Sequence, residues 1–180
     1  MSNRYELRQY GAQLWTRELA KQIRDEVEEK LEALQPGETL VIDASGVEVF
    51  DFSFANELFG RLIHTMPTAF PGCFLVVEGL KPYARENLEK ALESIGLAIV
   101  ERRQRKMTII GKAGPTDEET FEVVAKARKP ISAAELAARL DVNATAMNER
   151  LSKLVRLGLI HRSRAASPAG REQYAYSAPR

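Results

Sequence analysis

Few side chains in this 180-residue sequence stand where they could do acid–base or covalent chemistry, and most of them gather in one place. Asp43 and Asp51 flank a short stretch that runs on to Ser53. Two carboxylates can share general acid and base roles when a neighbouring His or Lys sets their proton affinities apart. The sequence puts neither beside them, so the pair is not read as catalytic and no enzyme activity is expected. Ser53 stands at the start of an apolar helical pattern, where it can cap the helix or hold an anion at its positive end. Cys73 is the single cysteine and sits in the apolar run CFLVV, which reads as a buried small hydrophobe and excludes an intrachain disulfide or thiolate zinc site. His64 and His161 are too few for the usual metal-ligand spacings or for a triad built on His. Gly111-Lys112 has the form of the end of a phosphate-binding loop, but no glycine stands five residues before Gly111, and Ala113 replaces the required Ser or Thr. No cofactor or metal is expected.

What remains is electrostatic. The net charge is +1, yet residues 1–114 hold 15 Lys and Arg against 17 Asp and Glu, whereas residues 115–180 hold 11 against 8. Within residues 141–180 the count is 7 against 3, so positive charge collects where an anionic polymer would dock.

The elements that must position these groups follow from the hydrophobic period. YELRQ reads as a short extended run before Gly11. A long amphipathic helix from Thr16 to Leu34 places Leu19, Ile23, Val27, Leu31 and Leu34 on one side, capped by Thr16 and stopped by Gln35-Pro36-Gly37. TLVID and FLVV read as buried strands, with a helix between them from Ser53 to before Pro67 carrying Phe54, Leu58, Leu62 and Ile63. Pro82 opens a third helix with Leu88, Ala91, Leu92 and Ile95 inward, and AIVERR and KMTIIG follow as strands that can pair as a hairpin. The order β-α-β-α-β-α-β-β predicts an α/β (α+β) sheet with covering helices. Lys112-Ala113-Gly114-Pro115 reads as a linker, dividing the chain into domains 1–114 and 115–180.

Beyond Gly114 three helices and a hairpin are expected: TDEETFEVVAKARK; ISAAELAARL, capped by Ser132; ATAMNERLSKLVRLGL, after the turn Asp141-Val142-Asn143; and IHRSRAASPAGREQYAYS, with turn chemistry at Ser167-Pro168-Ala169-Gly170. Phe121, Val124, Ile131, Leu136, Leu140, Val142, Met147, Leu151, Leu154, Leu157, Leu159 and Ile160 are the core such helices need. The run SAAELAARL, a short turn, RLSKLVRLGLI and a basic hairpin resemble the winged helix-turn-helix of bacterial repressors of the MarR and ArsR type. That resemblance implies double-stranded DNA as partner, with the third helix in the major groove. The residues facing away from the core would meet it: Asn143, Thr145, Asn148, Glu149, Ser152, Lys153 and Arg156. Asn148 and Thr145 suit base edges, and Lys153 and Arg156 suit phosphates. Arg162, Arg164 and Arg171 occupy the wing, where arginine enters the minor groove or braces the backbone. A homodimer reading two half-sites is expected.

Residues 41–60, VIDASGVEVFDFSFANELFG, are similar to STAS-like domains, in particular an uncharacterised STAS-like family carrying S-F-A-N-E-L. In the related anti-sigma-factor antagonists a kinase phosphorylates a serine at the start of the helix after D-x-S-G-V. Here Phe52 stands at that serine's place and Ser53 directly after it, so the resemblance makes Ser53 the candidate phospho-acceptor and a histidine-kinase-type ATPase the candidate protein partner. The expectation is a two-module transcriptional regulator; the alternative is a protein-interaction switch of the anti-sigma-antagonist type that does not bind DNA. No segment reaches the roughly 18 consecutive apolar residues a bilayer span needs, and a cytoplasmic location without membrane contact is expected.

Overall fold

Successive parallel strands joined through helices in right-handed crossovers, each new strand added on the same side of the last, must leave every helix on one face of the sheet. The computed structural model of the chain, which describes residues 3–104, 106–166 and 170–180, has that arrangement. Strand β1 (Arg4–Glu6) runs through a tight turn of 3-10 helix, Leu7–Tyr10, and the short β2 (Gln13–Leu14) into helix α1 (Arg17–Glu32). Then come β3 (Thr39–Asp43), β4 (Val49–Phe50), α2 (Phe52–Ala55), a π turn over Asn56–Gly60, and α3 (Arg61–Ala69). β5 (Phe74–Glu78), α4 (Pro82–Ser94), β6 (Ala98–Arg103) and β7 (Lys106–Gly111) complete the first part. The sheet order is β1-β3-β5-β6-β7, parallel throughout except for the antiparallel pair β6 and β7, while β2 and β4 form a separate parallel ribbon.

Alternation along the strands gives the sheet two apolar faces. Leu40, Ile42, Leu75, Val77, Ile99 and Ile110 face the helices and join Ile23, Val27, Phe54, Leu58 and Leu88 in one core. Val76, Ala98, Val100 and Ile109 point the other way, where none of those helices lies.

The rest of the chain covers that second face. α5 (Pro115–Lys126), β8 (Ile131–Ser132), α6 (Ala133–Leu140), α7 (Ala144–Arg156), β9 (His161–Ala166) and β10 (Glu172–Ser177) bring Phe121, Val124, Leu136, Met147, Leu151 and Leu154 into one cluster with Val76, Val100 and Ile109. Burying each such Val or Ile contributes roughly 1.5–3 kcal/mol. β10 lies between β8 and β9 in a three-stranded antiparallel sheet. The segment expected as a linker is a structured turn. The Lys112 amide donates to Leu97 O at 2.8 Å, the Ala113 amide to Gly111 O at 2.9 Å, and the Gly114 amide to Asp117 Oδ2 at 2.8 Å.

Several local expectations change. Of YELRQ only Tyr5 and Glu6 are strand, with Arg4 before them. Ile95 is 44% exposed, because the last turn of α4 ends before it. α3 runs through Pro67 to Ala69: Pro67 has no N–H to offer Ile63 O, and the helix ends two residues after it. The cap of the central helix is Asp51, whose Oδ1 accepts the Phe54 amide at 2.7 Å, so Ser53 lies inside the first turn and does not cap it. Phe50 and Phe54 stack in the core at 5.6 Å, whereas Phe52 between them is 41% exposed. The expected turn residues Ser167, Pro168 and Ala169 lie outside the described residues.

Candidate nucleic-acid interface

α7 is set by the turn before it. Ser132 and Glu135 form a reciprocal capping box at the start of α6, the Ser132 hydroxyl accepting the Glu135 amide at 3.2 Å and Glu135 Oε2 accepting the Ser132 amide at 3.1 Å. α6 ends at Asp141 in the left-handed conformation, φ 51°. Asn143 then caps α7, its Oδ1 accepting the Ala146 amide at 2.9 Å, which leaves its amide nitrogen as the free donor for any ligand. Met147, Leu151 and Leu154 point inward at helical spacing. The opposite side of α7 therefore carries Thr145, Asn148, Glu149, Ser152, Lys153 and Arg156, and these six line one shallow groove.

Within that groove the cations differ. Lys153 Nζ lies 2.5 Å from Oδ2 of Asp117, a carboxylate only 3% exposed at the start of α5. Lys153 is thus an anchor between two helices as well as a surface charge. Arg150, which sequence reasoning passed over, bonds Glu119 at 3.1 Å and so is also committed to α5. Arg156 is exposed at the C-terminal end of the helix.

On the hairpin, Arg162, Arg164 and Arg171 are exposed. The Arg162 guanidinium lies over the Tyr174 ring, 4.4 Å from its centroid, and Arg164 Nη1 lies 3.5 Å from Glu172 Oε2. Tyr174 is exposed and was missed; the β9–β10 register, which sets it opposite Arg164, was the signal that could have found it.

The acidic pair of the first part is occupied structurally. Asp43 Oδ1 accepts the Ser45 amide at 2.8 Å and Oδ2 pairs with Arg4 at 2.5 Å. Burial alone would raise the Asp43 pKa, but its bonds from Ser45 and the Arg4 guanidinium outweigh that and hold it below the usual carboxylate range. Asp51 is the helix cap. Ser53 is half-buried beside exposed Phe52, on a helix whose Glu57 pairs with Arg24 of α1 at 2.5 Å. Among the described residues no group of three His, Cys, Asp or Glu could hold a metal ion, and no helix is long and apolar enough to cross a membrane.

Residues 20–70 match a family model described as a STAS-like domain of unknown function (DUF4325). The match covers most of α1, β3 with its D-A-S-G-V loop, and the helix from Phe52 to Ala69. The mixed α/β architecture with a mainly parallel sheet agrees with it. No curated protein matches the chain.

Proposed function

We propose that residues 115–180 are a winged helix-turn-helix that binds double-stranded DNA, and that the STAS-like part mediates a regulatory protein contact or dimerisation. The reading rests on one observation above all: a helix with a buried apolar side, held by a three-residue turn from the helix before it, presents Thr145, Asn148, Ser152 and Arg156 together along its outer side. A helix of this kind fits the major groove of B-DNA. Asn148 suits an adenine edge and Thr145 a hydroxyl or thymine-methyl contact. Arg156 and, on the wing, Arg162, Arg164 and Arg171 suit phosphates or the minor groove. The excess of cations over residues 141–180 favours the same partner.

The test is fluorescence anisotropy of the full chain with random-sequence duplex DNA across a salt series. Affinity is expected to fall with a log–log slope of about 0.9 per phosphate contacted. No binding at low salt would sink the DNA reading.

A second reading, a protein-interaction switch acting with an ATPase or kinase, is favoured by exposed Phe52 next to half-buried Ser53, with Tyr83 exposed on α4, which packs against α2, and Trp15 exposed directly after β2, which pairs with β4. A pull-down of an ATPase domain that survives nuclease and is lost with Ser53→Asp would support it, and an unchanged pull-down would count against a switch at Ser53.

A further inference from the structure

The outer side of α7 carries one anion, Glu149, and carries it at the centre of the surface. At about 100° per residue, Glu149 lies about 200° round the helix from buried Met147, and Arg156 about 180°. These two side chains therefore point most directly away from the core. Glu149 is exposed, with Thr145 and Asn148 before it and Ser152 after it in the groove that they share.

A glutamate four residues before a lysine on one helix ordinarily pairs with it. Here Lys153 is engaged elsewhere: its Nζ lies 2.5 Å from Oδ2 of Asp117, the buried carboxylate at the start of α5. Arg150, the neighbouring cation, is bonded to Glu119 and Thr120 of α5. Among the described residues Glu149 is left with neither an ion pair nor a hydrogen bond. The two charges of an ordinary helical pair are thus given separate work, the lysine holding α7 to α5 and the carboxylate standing free in the groove.

We propose that Glu149 reads a cytosine in the major groove, its carboxylate accepting the exocyclic N4–H. The inference rests on the DNA reading of α7 and adds the base that this position demands. An ionised carboxylate can only accept hydrogen bonds. Guanine offers the groove two acceptors, and thymine one acceptor and a methyl group, so both repel it. Adenine sets its N6 donor beside the N7 acceptor, which faces the second carboxylate oxygen lone pair to lone pair. Cytosine alone presents a donor with no acceptor on the same base edge. Phosphates repel the charge as well, so any other base leaves Glu149 desolvated and unpaired, and the wrong site is rejected rather than merely missed.

The full chain and its Glu149→Gln and Glu149→Ala variants are each used to select from random-sequence duplexes about 20 base pairs long, two helical turns. Glu149 makes no bond, so both variants keep the fold. The wild-type chain is expected to return sites with a constant cytosine, and Glu149→Gln sites with adenine in its place, because an amide pairs with adenine N6 and N7. Glu149→Ala sites should show no preference there, and the other preferred positions should stay the same in all three. N4-methylcytosine at that position keeps the base pair but puts a methyl group where the groove-facing hydrogen was. In anisotropy titrations it should weaken the wild type about tenfold, within the worth of one good base contact, and leave Glu149→Ala unchanged. Identical preferred bases in the wild type and Glu149→Gln, or no cytosine preference in the wild type, overturn the proposal while salt-dependent binding keeps the DNA reading in place. Tighter binding of every sequence by Glu149→Ala with no change of preferred base makes Glu149 a plain repulsive charge and overturns it too. No binding by the wild type at low salt removes both.

Discussion

Asp117 does more than its place in the first turn of a helix suggests. One oxygen, Oδ2, accepts the Gly114 amide and receives the Lys153 ammonium, so the start of α5 and the last turn of α7 are tied through a single buried carboxylate. Lys153→Ala should therefore cost about 1–2 kcal/mol in urea unfolding, since it strips a buried charge of its partner while the lysine itself is 40% exposed. Arg156→Ala should leave stability unchanged and reduce the salt slope of DNA binding by about one; a loss of stability there, or an unchanged slope, would contradict the role assigned to it. At the other site Asp51→Ala should cost about 1 kcal/mol through the lost cap, and Ser53→Ala much less. Equal costs in thermal melts would return the cap to Ser53. The two caps show why such residues are only half legible in sequence. Ser132 could be read because Glu135 stands three places on, completing a reciprocal motif. Ser53 and Asp51 are both good caps two residues apart, and only the backbone at Asp51, extended with ψ 173°, decides between them.

Strands and helices with a strong period were legible as elements. β3 and β5 are continuous apolar runs because both their faces are buried, and α1 and α7 carry a clean apolar side. β2 and β4, two residues each, fall below any period and exist only because Leu14 and Phe50 pair side by side. The groove on α7 was legible because residues that avoid the core of a helix must share its other side. The burial of Glu101 against Arg85 was not, because it reads as an ordinary charged residue of a strand until the packing of α4 is seen. The turn out of β7 is demanding: Gly111 has φ 105°, and a Cβ there would lie 2.4 Å from Leu97 O. Gly111→Ala should destabilise the chain by about 2 kcal/mol or more, measured by urea unfolding, because both backbone strain and a clash with backbone must be relieved. A near-neutral result would mean that the turn can re-form without its present hydrogen bonds.

Taken as one object, the molecule is built around a sheet whose two faces are covered by different stretches of chain. Val76, Val100 and Ile109 bind the first stretch to the last, and His161 of β9 meets Phe74 edge-on with centroids 6.4 Å apart. Calorimetry should therefore show a single unfolding transition with equal calorimetric and van't Hoff enthalpies; two resolved transitions would show the halves to be independent. Burial lowers the His161 pKa below its ordinary 6.5. Below about pH 6.5 the unfolded chain then takes up a proton before the folded one does, so stability is full above that pH and declines as pH falls through the lowered value. The fall between about pH 7.5 and 5.5 should be smaller in His161→Phe, and an identical fall would remove His161 from the account. The strand order also has a consequence for synthesis. β1, β3, β5, β6 and β7 add to the sheet in the order in which they leave the ribosome, so the helix-covered side can close as the chain emerges. The other side waits for residues 115–180, 66 residues and roughly 3–13 s of translation, with Val76, Val100 and Ile109 open to whatever the nascent chain meets.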